Sequence, residues 1–218
     1  MKKDPLNIVV TGVGGQGNVL ASLLIGAVFV DKGYKVTIGE TYGASQRGGS
    51  VMSHLRISAD HQYGPLIPPR AADLVIALEP AEAARILGRF GNPDTTAVVN
   101  SRPVYPVDVI SGDASYPDVD ELLATIRSLS RESYFLPATE KALELGNPIL
   151  SNIVLIGYAA GAGLLPIDVE GLEKAIADYL SPDKTAINRE AFLCGVGMVR
   201  SRETVHRHGN REDNPGQT

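Results

Sequence analysis

The 218-residue chain carries 25 acidic and 20 basic side chains, a net charge of −5, with 44% hydrophobic and 21% charged residues. That balance excludes wholesale disorder, and the acidic surplus argues against a nucleic-acid binder, which needs a basic footprint. The one cysteine, Cys194, excludes an internal disulfide and any iron–sulfur cluster held by this chain, since a cluster takes about four thiolates.

The opening Met1-Lys2-Lys3-Asp4-Pro5-Leu6 leads directly into an apolar run, so no targeting segment is expected and the expected address is the cytoplasm. Asn7 to Val13 reads as a short buried strand. The cluster Gly12-Val13-Gly14-Gly15-Gln16-Gly17 follows, then a helix from about Asn18 to Lys32, stopped by Gly33. Lys35 to Gly39 is a second strand, and Ser50 to Ser58 alternates as a third. Ala59 to Ala72 is a loop rich in Pro and Gly. Leu74 to Leu78 is continuously apolar, as befits a strand buried on both faces. Pro80 opens a helix to about Phe90, and Ala97 to Val99 is another strand.

From Asp118 to Arg131 the helical period is clean, with Val119, Leu122, Leu123, Ile126 and Leu129 on one face. Asp118 and Glu121 resemble a capping box. Ser133 to Leu136 is a short strand ended by Pro137. Helices then dominate: about Ala138 to Leu145, Leu150 to Ala162, Val169 to Leu180 and Lys184 to Thr204. Ile149 to Ile167 is apolar, but it contains Ser151, Asn152, three glycines and Pro166. It reads as a buried helix pair, and no membrane span is expected. Ile187, Ala191, Cys194 and Met198 share a face of the last helix, so Cys194 reads as inert core. Residues 1–205 form the expected domain, and the polar tail 206–218 reads as disordered.

Alternating strands and helices predict an α/β fold: a three-layer, Rossmann-like domain with a mostly parallel central sheet and a helical C-terminal portion. Right-handed crossovers would place every strand's carboxyl end along one edge, where ligands of such sheets bind. Candidate site residues are therefore sought just after each strand.

Gly12, Gly14 and Gly17 fit G-x-G-x-x-G between a strand and a helix, with Gly15 and Gln16 inside the motif. Such a loop is either a tight turn or a site where backbone N–H groups and the helix dipole meet an anion. After the second strand, Glu40 falls near the position of a ribose-binding acid. Ser45-Gln46-Arg47-Gly48-Gly49 is too long and polar for a plain turn. Arg47 beside two glycines suits a carboxylate or phosphate, or else a structural ion pair. His54, inside a strand, reads as structural. Glu79 and the trio Asn100-Ser101-Arg102 follow later strands on the same edge. The sequence has no histidine–cysteine–carboxylate cluster of metal spacing, no G-x-S-x-G elbow and no Walker lysine. It reads as a binding fold without chemistry of its own.

The glycine loop, the Glu40-Thr41-Tyr42-Gly43-Ala44-Ser45-Gln46-Arg47-Gly48-Gly49-Ser50 stretch, Gly64-Pro65-Leu66-Ile67-Pro68, Ala72-Asp73-Leu74, Asn100-Ser101-Arg102-Pro103, and Gly146-Asn147-Pro148 with Asn152 and Gly157 together resemble the gamma domain of the 2-oxoacid:ferredoxin oxidoreductases. The pattern, from about Asn7 to Val199, is most similar to the indolepyruvate branch. The resemblance implies a subunit of an enzyme that oxidatively decarboxylates a 2-oxoacid on thiamine diphosphate. Electrons would pass through [4Fe–4S] clusters to ferredoxin, and the acyl group would leave on coenzyme A. It implies that a large partner subunit holds the thiamine diphosphate and the clusters, and that this chain binds no cofactor alone. It assigns Gly12, Gly14, Gly15, Gln16 and Gly17 to a phosphate or interface loop. Ser45, Gln46, Arg47, Gly48 and Gly49 would face the partner's active site or the coenzyme A channel. Two other readings stay open: a freestanding nicotinamide-dependent reductase, and a non-catalytic module sensing a nucleotide or acyl-coenzyme A.

Overall fold

A computed structural model of the chain describes residues 3–42 and 49–209, with side chains up to residue 199. The sheet has six strands: β1 (Leu6–Val13), β2 (Lys35–Tyr42), β3 (Ser50–Ser58), β4 (Leu74–Ala77), β5 (Thr96–Asn100) and β6 (Glu132–Leu136). Their order is β2-β3-β1-β4-β5-β6. β1, β4, β5 and β6 pair in parallel, whereas β3 pairs antiparallel with both β1 and β2. The sheet is thus mostly parallel, as expected, with one reversed strand. The reversal corrects the expectation that every strand ends on one edge: β3 begins there, with Ser50 opposite Val13.

Period-two alternation sends each strand's side chains to two cores. Ile8 and Val10, Leu74 and Ile76, and Val98 enter the larger one. Val9, Val75 and Ala77, and Ala97 and Val99 enter the smaller one. The larger core is covered by α1 (Asn18–Asp31), α5 (Ala138–Glu144), α6 (Ser151–Gly161), α7 (Val169–Tyr179) and α8 (Thr185–Gly209); α2 (Pro80–Phe90) and α4 (Val119–Ser128) cover the smaller. Each fully buried Ile, Leu or Val contributes roughly 1.5–3 kcal/mol. A short helix, α3 (Val107–Ser111), has no buried residue, which is why no apolar period announced it.

The caps follow the local sequence. Asp118 accepts from Glu121 N–H at 3.1 Å, as the capping pattern requires. Glu79 accepts from Glu82 N–H at 2.8 Å, with Pro80 in the first turn. α8 continues past Thr204 to Gly209, so part of the tail expected to be disordered is helical, and 210–218 lie outside the described residues. Cys194 is only partly buried, which corrects its placement in the core. Burial still pushes its thiol up, away from the reactive thiolate.

α6 and α8 touch backbone to backbone. A Cβ on Gly157 would lie 2.1 Å from Phe192 O, and one on Gly195 would lie 2.0 Å from Val154 O. Because the obstacle is backbone, relief requires moving a whole helix. Gly195→Ala is expected to cost about 2 kcal/mol or more and to lower Tm by roughly 4–8 °C. Gly88→Ala, where a Cβ would meet nothing within 4 Å, is expected to add up to about 1 kcal/mol through helix propensity. Paired thermal melts check both.

Candidate functional site

The crevice between the ends of β1 and β4 is the topological switch point: α1 leaves toward one face and α2 toward the other. Gln16 occupies it. Its Oε1 accepts from Val13 N–H at 2.8 Å, and its Nε2 donates to Leu78 O at 2.9 Å. Asn100 Nδ2 donates to the same carbonyl at 3.1 Å and to Thr139 Oγ1 at 2.9 Å, while Asn100 Oδ1 accepts from Thr139 N–H at 3.2 Å. Asn100 is fully buried, and these bonds make it a fastener of the strand ends. Gly12 is required by the same packing, because a Cβ there would lie 2.6 Å from Gln16 Oε1 and 2.9 Å from Leu78 Cβ.

The rest of the glycine loop divides by direction. Gly17 caps α1 in the left-handed region (φ 79°), under Asn152, whose Nδ2 donates to its carbonyl at 3.0 Å. Buried Asn18 donates from Nδ2 to Val13 O at 3.1 Å, and its Oδ1 has no hydrogen-bond partner among the described residues. Gly14 N–H donates to Gly49 O at 2.9 Å, which ties the loop to the lead-in of β3. Gly15 (φ 99°) faces open space, with nothing within 4 Å of a would-be Cβ.

Gly14, Gly15 and Gln16 form one wall of a cleft of about 470 Å³, with Arg102, Thr139 and Ile149 among the residues opposite. Arg102 is exposed and pairs with Glu140 at 3.6 Å, both about half exposed. Such a pair is worth little and can yield its guanidinium to an anion. Among the described residues, the cleft therefore offers open backbone at Gly15, one cation and an apolar wall. Glu40 lies elsewhere: β3 separates its strand from β1, and its carboxylate accepts from Tyr42 OH. That separates it from the ribose-binding position beside a glycine loop. Ser45, Gln46, Arg47 and Gly48 lie outside the described residues.

A second polar cluster was only partly legible. Glu79 is buried, and the hydroxyl of Tyr116 donates to it. Glu82 Oε2 accepts from Ser50 Oγ at 2.6 Å and pairs with Arg85 at 2.5 Å. Glu79 followed by Pro80 is a readable helix cap, but nothing local connects it to Tyr116. Burial raises the Glu79 carboxyl above its ordinary value, while the Tyr116 hydrogen bond pulls it back down. A raised acid lends stability below its unfolded pKa and loses it as pH rises through the folded one. Tyr116→Phe raises Glu79 further. It is expected to cost about 2 kcal/mol at pH 7, shrinking as pH falls toward the carboxyl's protonation, as urea unfolding at several pH values would show.

Residues 7–198 match the family described as pyruvate ferredoxin/flavodoxin oxidoreductase. The chain is 38% identical over 196 residues to indolepyruvate oxidoreductase subunit IorB of Archaeoglobus fulgidus, covering 90% of this chain and 96% of that one. It is 37% identical over 195 residues to the IorB of Pyrococcus horikoshii, covering 89% and 96%. Its fold is similar to the gamma subunit of a keto/oxoacid ferredoxin oxidoreductase from Geobacter sulfurreducens, with a TM-score of 0.62 at 20% identity over 88% of this chain and 96% of that one. It is also similar to part of 2-oxoglutarate:ferredoxin oxidoreductase from Magnetococcus marinus, with a TM-score of 0.68 at 23% identity over 91% of this chain and 32% of that one. The Rossmann-like fold and the resemblance read from the glycine loop and the Ser45–Gly49 stretch are both upheld, and the chain belongs to the pyruvate ferredoxin/flavodoxin oxidoreductase family.

Proposed function

We propose that this chain is the small, cluster-free subunit of a 2-oxoacid:ferredoxin oxidoreductase acting on indolepyruvate or a related aryl pyruvate in the cytoplasm. The whole enzyme converts the oxoacid to acyl-coenzyme A and passes electrons to ferredoxin. Thiamine diphosphate and the [4Fe–4S] clusters belong to a larger partner subunit, and the thiamine supplies the decarboxylation chemistry. The single cysteine of this chain fits that division. The observation that carries the reading is the 38% identity to an indolepyruvate oxidoreductase subunit across 90% of the chain.

The geometry supports a contributing role. The exposed backbone of Gly15 and the Arg102 guanidinium line one cleft at the sheet edge, a donor set that suits the phosphates of coenzyme A. Arg47, outside the described residues, would add a second cation from the β2–β3 connection. A freestanding nicotinamide-dependent reductase finds less support: Gln16 fills the crevice where a pyrophosphate would lie, and Glu40 is set apart from the glycine loop by β3.

Purification of the chain from a native anaerobic lysate is expected to bring down a larger protein containing iron and thiamine diphosphate. The complex should turn over aryl pyruvates with coenzyme A. A lone chain without iron or thiamine, under conditions that preserve complexes, contradicts the reading. In the complex, Arg47→Ala is expected to raise the KM for coenzyme A about tenfold with assembly unchanged. An unchanged KM removes Arg47 from the site.

A further inference from the structure

A second cavity, about 500 Å³ in volume, lies between the β2–β3 hairpin and α2, lined by Met52, His54, Ile67, Phe90, Arg85 and Arg89 among others. Its size suits a small organic ligand. The loop carrying Ile67 and Pro68 forms part of its wall. Met52, Ile67 and Phe90 are buried and apolar.

Two polar groups in the cavity are unspent among the described residues. His54 is 2% exposed, so its ring is almost wholly enclosed. Ile67 N–H donates to its Nδ1 at 3.4 Å, and a ring nitrogen that accepts carries no proton, so the proton is on Nε2. Nε2 has no hydrogen-bond partner among the described residues. The ring is held edge-on against Phe90, with centroids 5.0 Å apart. Arg89 stacks on the same phenyl ring, its guanidinium carbon 5.0 Å from the centroid. It has no ion pair among the described residues. Arg85, by contrast, is neutralised by Glu82 at 2.5 Å. Among the described residues, the cavity thus presents one positive charge without an ion pair, one neutral N–H donor and apolar walls.

We propose that this cavity binds an apolar monocarboxylate, with the carboxylate on Arg89 and His54 Nε2–H and the apolar body against Met52, Ile67 and Phe90. A planar guanidinium fork matches a carboxylate. A single unpaired guanidinium among the described lining residues favours a monoanion over a phosphate dianion, and the apolar walls favour a body larger than acetate. His54, structural in the sequence reading, keeps that role through Nδ1 and gains a second through Nε2. The inference stands apart from the oxoacid reading, because it is scored on binding by this chain alone.

The test is calorimetric titration of the purified full chain with phenylacetate, and with benzyl alcohol, acetate and inorganic phosphate as comparisons. Phenylacetate is expected to bind at least tenfold more tightly than each of the others. Arg89→Gln, an exposed helical substitution of similar helix propensity, is expected to weaken it at least tenfold. In histidine-labelled protein, phenylacetate should shift the His54 Nε2 resonance in the ¹⁵N spectrum. Absence of phenylacetate binding, equal binding of benzyl alcohol or phosphate, full binding by Arg89→Gln, or an unmoved His54 signal each overturns the proposal.

Discussion

One carbonyl organises the carboxyl edge. Leu78 O accepts from both Gln16 and Asn100, and so fastens the loop after β1 and the end of β5 to the end of β4. The central strands thereby share one rigid rim. Gly12 must be glycine because Gln16 folds back against it, and the Gly17 cap is held by Asn152 from α6. Removing the Gln16 amide would take the side-chain acceptor from the buried Val13 N–H and leave Leu78 O with Asn100 alone. The bond pattern therefore fixes where the chain can receive a ligand and where it cannot.

In many Rossmann-like domains the switch-point crevice is left open for a cofactor. Here side chains close it, and the open backbone moves outward to Gly15, toward the cleft shared with Arg102 and the start of α6. Glu79, Tyr116, Glu82 and Arg85 are similarly bound to one another. A rim whose polar groups are largely spent internally suits a positioning surface better than a reaction centre.

Much of the fold was legible because burial leaves a periodic trace. The run Leu74 to Leu78 marked a doubly buried strand, and the apolar stripe after Asp118 marked α4. α3 left no trace because it buries nothing. The direction of β3 was not legible: a strand alternates identically whichever way it runs, and all strand ends were assumed to share one edge. At the site, the glycine loop could be found from spacing, but the use of Gln16 and Asn100 as fasteners could not. Their partners come from strands far apart in sequence. Glu40 misled because its strand order was assumed. With β3 between β2 and β1, sequence distance from the glycine loop no longer measures spatial distance.

The central claim is that the open face of the glycine loop is completed by another chain while the crevice behind it is already closed. Amide hydrogen exchange, compared between the free chain and its native complex, tests this directly. The account predicts that the 14–17 and 102–105 segments slow at least tenfold in the complex, while the β1 and β4 strand ends are equally protected in both states. Unchanged exchange at 14–17 in an intact complex would contradict it.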